Sequence, residues 1–167
     1  MIATPARPTQ GQRAATLEDL EGRYSFVGGA REERRLRGAI DEVVDRMNLF
    51  VREIARGEIR RNVTADRRIE IDVVDDRTVR FRFDDWGPVR ARVDGRSRQV
   101  RGPDGSDTRL TARFGGGRLY LQQVSSRGTR DNWLSLASDR ERVTLQVRIR
   151  ADQLPAPIEY ALTYRRR

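Results

Sequence analysis

Residues 142–150 read Arg-Val-Thr-Leu-Gln-Val-Arg-Ile-Arg, and this stretch shows the pattern on which the fold prediction rests. Every second side chain is aliphatic, and the side chains between them are polar or charged. Successive side chains of a β-strand point to opposite faces, whereas a helix places apolar residues three and four positions apart. The stretch therefore predicts a strand with one buried face and one face in solvent.

The same two-residue alternation begins after residue 62 and recurs to the end of the chain. It covers residues 69–73, 79–83, 89–93, 110–114, 119–121, 143–149 and 158–164, with weaker runs near 97–101 and 130–137. Turn-forming pairs such as Asp94-Gly95 and Gly115-Gly116 separate the runs at intervals of about ten residues. The sequence thus predicts nine strands in this part, and a further strand at residues 20–27.

One helical segment is predicted between the first strand and the others, at about residues 30–57. Its apolar positions lie three or four residues apart, at Leu36, Ile40, Val43, Met47, Phe50 and Ile54. This spacing places them on a single stripe that can cover a hydrophobic surface. Gly57 is a plausible end of the helix, and a break near Asn48 into two shorter helices is the alternative.

Nine consecutive strands joined by short turns form an antiparallel meander, which must bury one face and protect its edges. Closure into an up-and-down barrel achieves both, whereas a two-sheet sandwich needs longer crossover connections than this chain offers. We therefore expect a mainly β fold: an up-and-down meander barrel of about ten strands with one helical segment after the first strand. Residues 17–167 are expected to form this single domain.

Residues 1–16 are rich in Ala, Pro, Thr and Gln and are expected to form a flexible tail. They contain no apolar core of the kind that a signal peptide needs, so we expect no signal peptide in this chain. The longest apolar run has three residues, at 49–51, which predicts that the chain has no transmembrane segment.

Composition excludes several kinds of chemistry. The chain has 34 basic residues in 167, all of them arginine, and it contains no histidine, cysteine or lysine. Imidazole or thiolate metal sites, thiol nucleophiles and Schiff-base lysines are therefore excluded. A carboxylate-pair enzyme remains conceivable, but no close pair of acids shares the inward face. Acids such as Asp75 and Asp104 fit turns better than a metal site, so we expect a non-enzymatic protein without metal or cofactor.

The basic charge is concentrated late in the chain. The formal net charge is +9, and residues 96–167 carry fifteen arginines against seven acids. Alternation places eight arginines on the outer face of the strands: Arg80, Arg82, Arg90, Arg92, Arg109, Arg113, Arg148 and Arg150. If neighbouring strands align them, they form a basic surface that could dock on an anionic partner, namely nucleic acid, acidic lipid or acidic protein.

Two other considerations bear on that basic surface. Stacking on single-stranded nucleic acid requires outward aromatic residues, and only Tyr120 and Trp133 have outward parity. Any nucleic-acid binding should therefore be non-specific and steeply dependent on salt. The competing interpretation is a solvated surface produced by a general preference for arginine.

The order of strand, helical segment and nine antiparallel strands resembles the calycins, in particular the fatty-acid-binding-protein and lipocalin types of barrel. Gly22-Arg23-Tyr24-Ser25-Phe26, the helical stretch 30–57 and the closing strand at residues 158–165 carry the resemblance. In the fatty-acid-binding family a helical pair caps the barrel mouth, and an Arg and a Tyr on late strands hold the ligand carboxylate. The family's Arg-x-Tyr is absent here, where Tyr164-Arg165 stands, and the lipocalin Gly-x-Trp is replaced at Arg23-Tyr24.

The resemblance implies a barrel that binds a small lipophilic ligand in its interior. Polar residues with inward parity are then candidates to hold the ligand's polar end: Gln123, Arg130, Asn132, Tyr160 and Tyr164. Phe81, Phe83 and Phe114 are the aromatic candidates for its apolar part. The alternative is a filled core in which the polar side chains reach the rim.

Overall fold

The computed structural model describes residues 13–167, so most of the predicted tail at residues 1–16 lies outside the described part of the chain. A short 3-10 helix, Glu18–Leu20, precedes the first strand. The helices are α1 (Gly29–Val44) and α2 (Leu49–Asn62). The strands are β1 (Gly22–Phe26), β2 (Arg68–Asp75), β3 (Thr78–Phe83), β4 (Trp86–Arg92), β5 (Arg98–Arg101), β6 (Asp107–Gly115), β7 (Arg118–Ser125), β8 (Gly128–Leu136), β9 (Arg142–Arg150) and β10 (Ile158–Arg166).

The ten strands form one antiparallel sheet in the order β4-β3-β2-β1-β10-β9-β8-β7-β6-β5. Strand β1 pairs with β2 on one side and with β10 on the other, where Tyr24 lies opposite Arg166. Pairing of the first strand with the last curls the meander into a nearly closed barrel. The prediction of a mainly β, up-and-down antiparallel barrel with ten strands is thereby confirmed.

The barrel has a seam between β4 and β5, which are the two ends of the sheet. The indole Nε1 of Trp86 on β4 donates to the carbonyl oxygen of Arg101 on β5 at 2.7 Å. An isolated antiparallel bridge joins Asp94, just beyond β4, to Arg113 on β6. A side chain and a single bridge therefore hold the two edges together, in place of a ladder of backbone hydrogen bonds.

The inward face of the barrel is apolar, as the alternation predicts. In β9 the side chains of Val143, Leu145 and Val147 are buried, and the residues between them are at least partly exposed. These side chains belong to one buried cluster to which every strand except β5 contributes. Burial of each large aliphatic or aromatic side chain stabilises the fold by roughly 1.5 to 3 kcal/mol, which is why the alternation determines the register.

Helix α1 is packed firmly against the barrel. Its buried residues are Leu36, Ile40, Val43 and Val44. The Glu32 carboxylate in its first turn accepts hydrogen bonds from the backbone N–H and the hydroxyl of Thr163 on β10, both at 2.6 Å. One polar anchor and a buried apolar face thus hold α1 in place.

Helix α2 is held differently, and here the structure departs from the predicted single stripe. The segment is divided into two helices, because Asn48 leaves the helical conformation and its side chain caps the backbone N–H of Phe50 at 3.0 Å. None of the residues of α2 is buried. Phe50 is 92% exposed and Ile54 is 73% exposed, so the second half of the stripe does not cover the core as expected.

Ion pairs attach α2 to α1. Arg56 lies 3.3 Å from Asp41 and 2.7 Å from Asp45, and Arg60 lies 2.7 Å from Asp41. Pairs of this kind near the surface each contribute little, typically below about 1 kcal/mol. Neither helix of the described chain is both long and apolar enough to cross a membrane.

Candidate functional site

A small opening leads into the barrel at the end that carries the β3–β4, β5–β6 and β7–β8 turns, and we call this end the mouth. The opening has a volume of about 90 Å³. Its lining comprises Asn62, Thr64, Asp66, Phe83, Asp85, Trp86, Pro103, Gln123, Arg130 and Asn132. This volume is below the roughly 150 Å³ of a cavity that takes benzene, so the opening suits a head group or a few water molecules.

Arg130 occupies the centre of the hydrogen-bond network at the mouth. Its Nε donates to Oδ1 of Asn132 at 3.1 Å, and Nδ2 of Asn132 donates to the carbonyl oxygen of Leu121 at 3.4 Å. The second guanidinium nitrogen lies 3.9 Å from the carboxylate of Asp66. These contacts fix Arg130, whose side chain is only 26% exposed.

Asp66 comes from the loop between α2 and β2. Its Oδ1 accepts a hydrogen bond from the backbone N–H of Asp84 at 3.2 Å. Burial raises the pKa of the Asp66 carboxyl above its ordinary value, and the positive charge of Arg130 opposes that rise. The negative charges of Asp84 and Asp85 raise the pKa further. Asp66 therefore lies in a mostly buried site that disfavours its charged form, beside one guanidinium and two further carboxylates.

Two buried tyrosines on β10 adjoin this network. The hydroxyl of Tyr164 donates to the backbone carbonyl of Asp66 at 3.0 Å and so anchors the α2–β2 loop. The hydroxyl of Tyr160 is buried and has no hydrogen-bond partner among residues 13–167. Burial raises the pKa of Tyr160, and the opposite charges of Arg130 and Asp66 both act on it. A buried hydroxyl without a partner is costly, and Tyr160 is not among the residues that line the opening.

A groove beneath α2 continues outward from the mouth. It has a volume of about 580 Å³, within the range of roughly 300 to 1,000 Å³ typical of small-molecule sites. Its lining is mostly aliphatic and includes Ile54 and Ile59 of α2, together with Ile149, Leu154 and Ile158 of the barrel rim.

A recess of about 250 Å³ connects the groove with the mouth, since it has lining residues in common with both. It shares Gln123 and Arg130 with the opening and Val63 and Ile149 with the groove. The polar opening and the apolar groove are therefore continuous at the mouth of the barrel.

The structure brings together only some of the residues that the sequence places inside. Gln123, Arg130, Asn132 and Phe83 line the opening, and Phe81 is buried in the core, where it packs edge-on against Phe83 and Trp86. Phe114 lies near the opposite end of the barrel, as the penultimate residue of β6 before the turn into β7, and is half-buried.

Sequence reasoning did not identify Asp66 and Asp85 as site residues. Both lie in loops, where the alternation of a strand gives no information about side-chain direction. Asp66 follows the predicted helical segment, and Asp85 belongs to a turn that leads into β4. A signal was nevertheless present, because Asp84 and Asp85 directly precede Trp86, and acidic residues beside an aromatic residue stand out at a turn.

The outer face carries the predicted arginines, and all eight are exposed. Four of them form ion pairs: Arg80 with Asp72, Arg92 with Asp94, Arg148 with Glu159 and Arg150 with Asp131. The other four, Arg82, Arg90, Arg109 and Arg113, form no ion pair with the described part of the chain. Acidic residues of the same chain thus neutralise half of these eight arginines.

Tyr120 and Trp133 adjoin each other on this outer face, with ring centroids 5.4 Å apart. The Tyr120 hydroxyl donates to the buried carboxylate of Asp131 at 2.6 Å, and burial together with that carboxylate raises the pKa of Tyr120 to about 12. The guanidinium of Arg148 lies 5.9 Å from the Trp133 ring centroid. Both aromatic rings are consequently fixed in place.

The arrangement at the mouth is suited to binding. It offers hydrogen-bond donors and acceptors of both charges beside an aliphatic groove, which fits an amphiphilic guest. Among residues 13–167 no group of three or more acids is placed to hold a metal ion.

Comparison with known proteins supports the fold. The sequence matches no protein-family model and no curated protein. Solved structures do match: a REP1-NXSQ fatty acid transporter has 12% identity and a TM-score of 0.54, covering 89% of this chain and 96% of its own. The lipid binding protein 8 of Caenorhabditis elegans has 12% identity and a TM-score of 0.57, covering 92% and 99%. The fluorescent protein UnaG has 11% identity and a TM-score of 0.56, covering 91% and 100%.

These likenesses extend over nearly the whole of the described chain and of each solved structure. Together with the ten-stranded barrel and the helical pair after its first strand, they show that this chain has the calycin fold of the fatty-acid-binding-protein type. At 11% to 12% identity they show the fold alone.

Proposed function

We propose that this chain is a non-enzymatic barrel protein that binds one small lipophilic ligand at its mouth. The apolar part of the ligand lies in the groove beneath α2, and its polar end enters the opening beside Arg130. The observation that carries the proposal is the continuity between an aliphatic groove of about 580 Å³ and a polar opening of about 90 Å³.

Three further observations support this proposal. The interior cluster of the barrel is filled by its own side chains, which favours a ligand at the mouth over one deep in the barrel. Helix α2 buries none of its residues, so it can move aside without a large loss of packing. The structures with the same fold include one named as a fatty acid transporter and one named as a lipid binding protein.

The proposal is tested with Nile red, an uncharged dye that becomes fluorescent in apolar sites. We expect saturable binding to the native protein at micromolar concentrations. Ala55 lines the groove, and the substitution Ala55→Trp should fill it and weaken binding at least about tenfold, which corresponds to about 1.4 kcal/mol.

Ala161→Trp is the matched control, because Ala161 is exposed on the outer side of β10. It should leave the affinity for the dye unchanged. Absence of saturable binding to the native protein, or equal loss in both variants, would overturn the proposed function.

A second candidate function is docking of the outer basic surface on an anionic polymer. The specific observation that favours it is the position of two exposed arginines without ion-pair partners in the described chain, Arg109 and Arg113, on the strand next to Tyr120. Tyr120 in turn contacts Trp133, so positive charge and aromatic surface are adjacent.

Retention on single-stranded DNA tests this second function. The double substitution of Arg109 and Arg113 by Gln should weaken binding and reduce its dependence on salt by about two charges. The control, Arg80→Gln, removes an arginine that is already paired with Asp72 and should have a smaller effect. Affinity that does not change between low and high salt would contradict this function.

A further inference from the structure

The charges around the opening indicate which polar end a ligand can carry. Of the ten residues that line the opening, Arg130 is the one cation, and Asp66 and Asp85 are acids. Asp84 adds a third carboxylate nearby, since its charge acts on Asp66. The lining therefore contains both signs of charge, with acids in excess.

Arg130 is already engaged by groups of the protein. Its guanidinium lies 3.9 Å from the Asp66 carboxylate, and its Nε donates to Asn132. A ligand carboxylate that binds the remaining N–H groups of Arg130 must come close to the Asp66 carboxylate, which lies 3.9 Å from the same guanidinium. Two like charges beside one guanidinium repel each other strongly in a mostly buried site.

A carboxylate head group meets charges of its own sign at the opening. It approaches Asp66 and Asp85, which both line the opening, and burial already raises the pKa of the Asp66 carboxyl and so disfavours its charged form. The charge of the ligand therefore adds a like-charge repulsion in a partly desolvated site, where such repulsion is strong.

An uncharged hydroxyl or amide avoids this repulsion. Its N–H or O–H can donate to the Asp66 carboxylate, while its oxygen accepts from Arg130 or from the amide of Gln123, which also lines the opening.

We propose that the mouth selects lipophilic ligands with an uncharged polar head, such as a long-chain alcohol or amide, over free carboxylates, because Asp66 and Asp85 place negative charge beside Arg130. This inference rests on the proposed ligand-binding function and specifies the ligand class of the same site. Asp66 acts here as a specificity-determining residue.

The test compares two ligands with the same alkyl chain, decanol and decanoate, as competitors of bound Nile red at pH 8. Decanol should compete at least about tenfold more strongly than decanoate. The substitution Asp66→Asn should then improve decanoate relative to decanol by at least about tenfold, because Arg130 loses its counter-ion. Asp72→Asn is the matched control, since Asp72 pairs with Arg80 on the outer face, and it should change none of the preferences.

The outcomes separate this inference from the function on which it rests. If Nile red binds but decanoate competes as strongly as decanol, the head-group inference is wrong and the ligand-binding function stands. If neither the dye nor any alkyl ligand binds, both are wrong. Because the ranking in the native protein is decisive by itself, the result does not depend on whether Asp66→Asn folds.

Discussion

The two helices that follow the first strand differ in how they are held, although the sequence gives them one continuous apolar stripe. Helix α1 buries Ile40 and three other apolar side chains, and its Glu32 is hydrogen-bonded to β10. Helix α2 buries none of its residues and is tied to α1 by exposed or half-exposed ion pairs. One helix is therefore part of the core, and the other lies over the groove without burying any residue.

This difference shows that a helical apolar stripe predicts a face that can be buried without determining what covers it. The turn at Asn48 changes the direction of the chain, so that Phe50 and Ile54 face solvent or the groove. Apolar side chains left in this position are typical of binding surfaces.

The largest expected effect is on the free energy of unfolding, when one isoleucine side chain is shortened in each of the two helices. Ile40→Ala removes a side chain that is 1% exposed and should reduce the free energy of unfolding by about 2 to 4 kcal/mol. Ile54→Ala, the same change in α2, should reduce it by less than about 0.5 kcal/mol, because Ile54 is 73% exposed. Urea unfolding measures both, and similar losses in the two variants would show that α2 is packed as firmly as α1.

The next effect concerns the cap that begins α2. Asn48→Ala removes the hydrogen bond to the backbone N–H of Phe50 and should cost α2 about 1 kcal/mol of local stability. Hydrogen exchange should become faster at the amides of α2, while the amides of α1 keep their rates. Asn48→Asp keeps a capping oxygen and serves as the control. If exchange became faster in both helices of the Asn48→Ala variant, α2 would not open independently of α1.

The smallest effect concerns the ion pairs between the helices. Asp41→Asn removes one partner of Arg56 and of Arg60 and should weaken the attachment of α2 by less than about 1 kcal/mol. Added salt should loosen α2 in the native protein in the same way, with no comparable change in α1. The measurement is amide exchange of the two helices at low and high salt, and an unchanged α2 would mean that these pairs do not hold it.

The sequence was sufficient for most of the fold, because alternation has direct physical consequences. A one-residue shift of register would expose side chains such as Leu145, so the pattern of β9 determines its inward face. The same reasoning places Asn132 and Arg130 on the inward side of β8, where the structure has them. The break at Asn48 was visible only as an alternative, because both halves of the segment keep helical spacing.

The part of the site that the sequence could not predict comes from loops. Asp66 reaches Arg130 because Tyr164 holds the backbone of its loop against β10, which is a contact between residues far apart in the chain. No local pattern encodes such a contact. The charge balance at the mouth, and with it the proposed preference for an uncharged head, therefore follows from tertiary structure.

The arginines near the seam of the barrel affect how two molecules of this protein can contact each other. Strands β4 and β5 have free backbone edges, and such edges can pair with the edge of another molecule and start aggregation. Pro88 on β4 lacks an N–H, and exposed arginines flank it on both strands, at Arg90, Arg92 and Arg101. Two copies that paired along these edges would bring arginine against arginine, and this repulsion opposes pairing between the edges of two molecules.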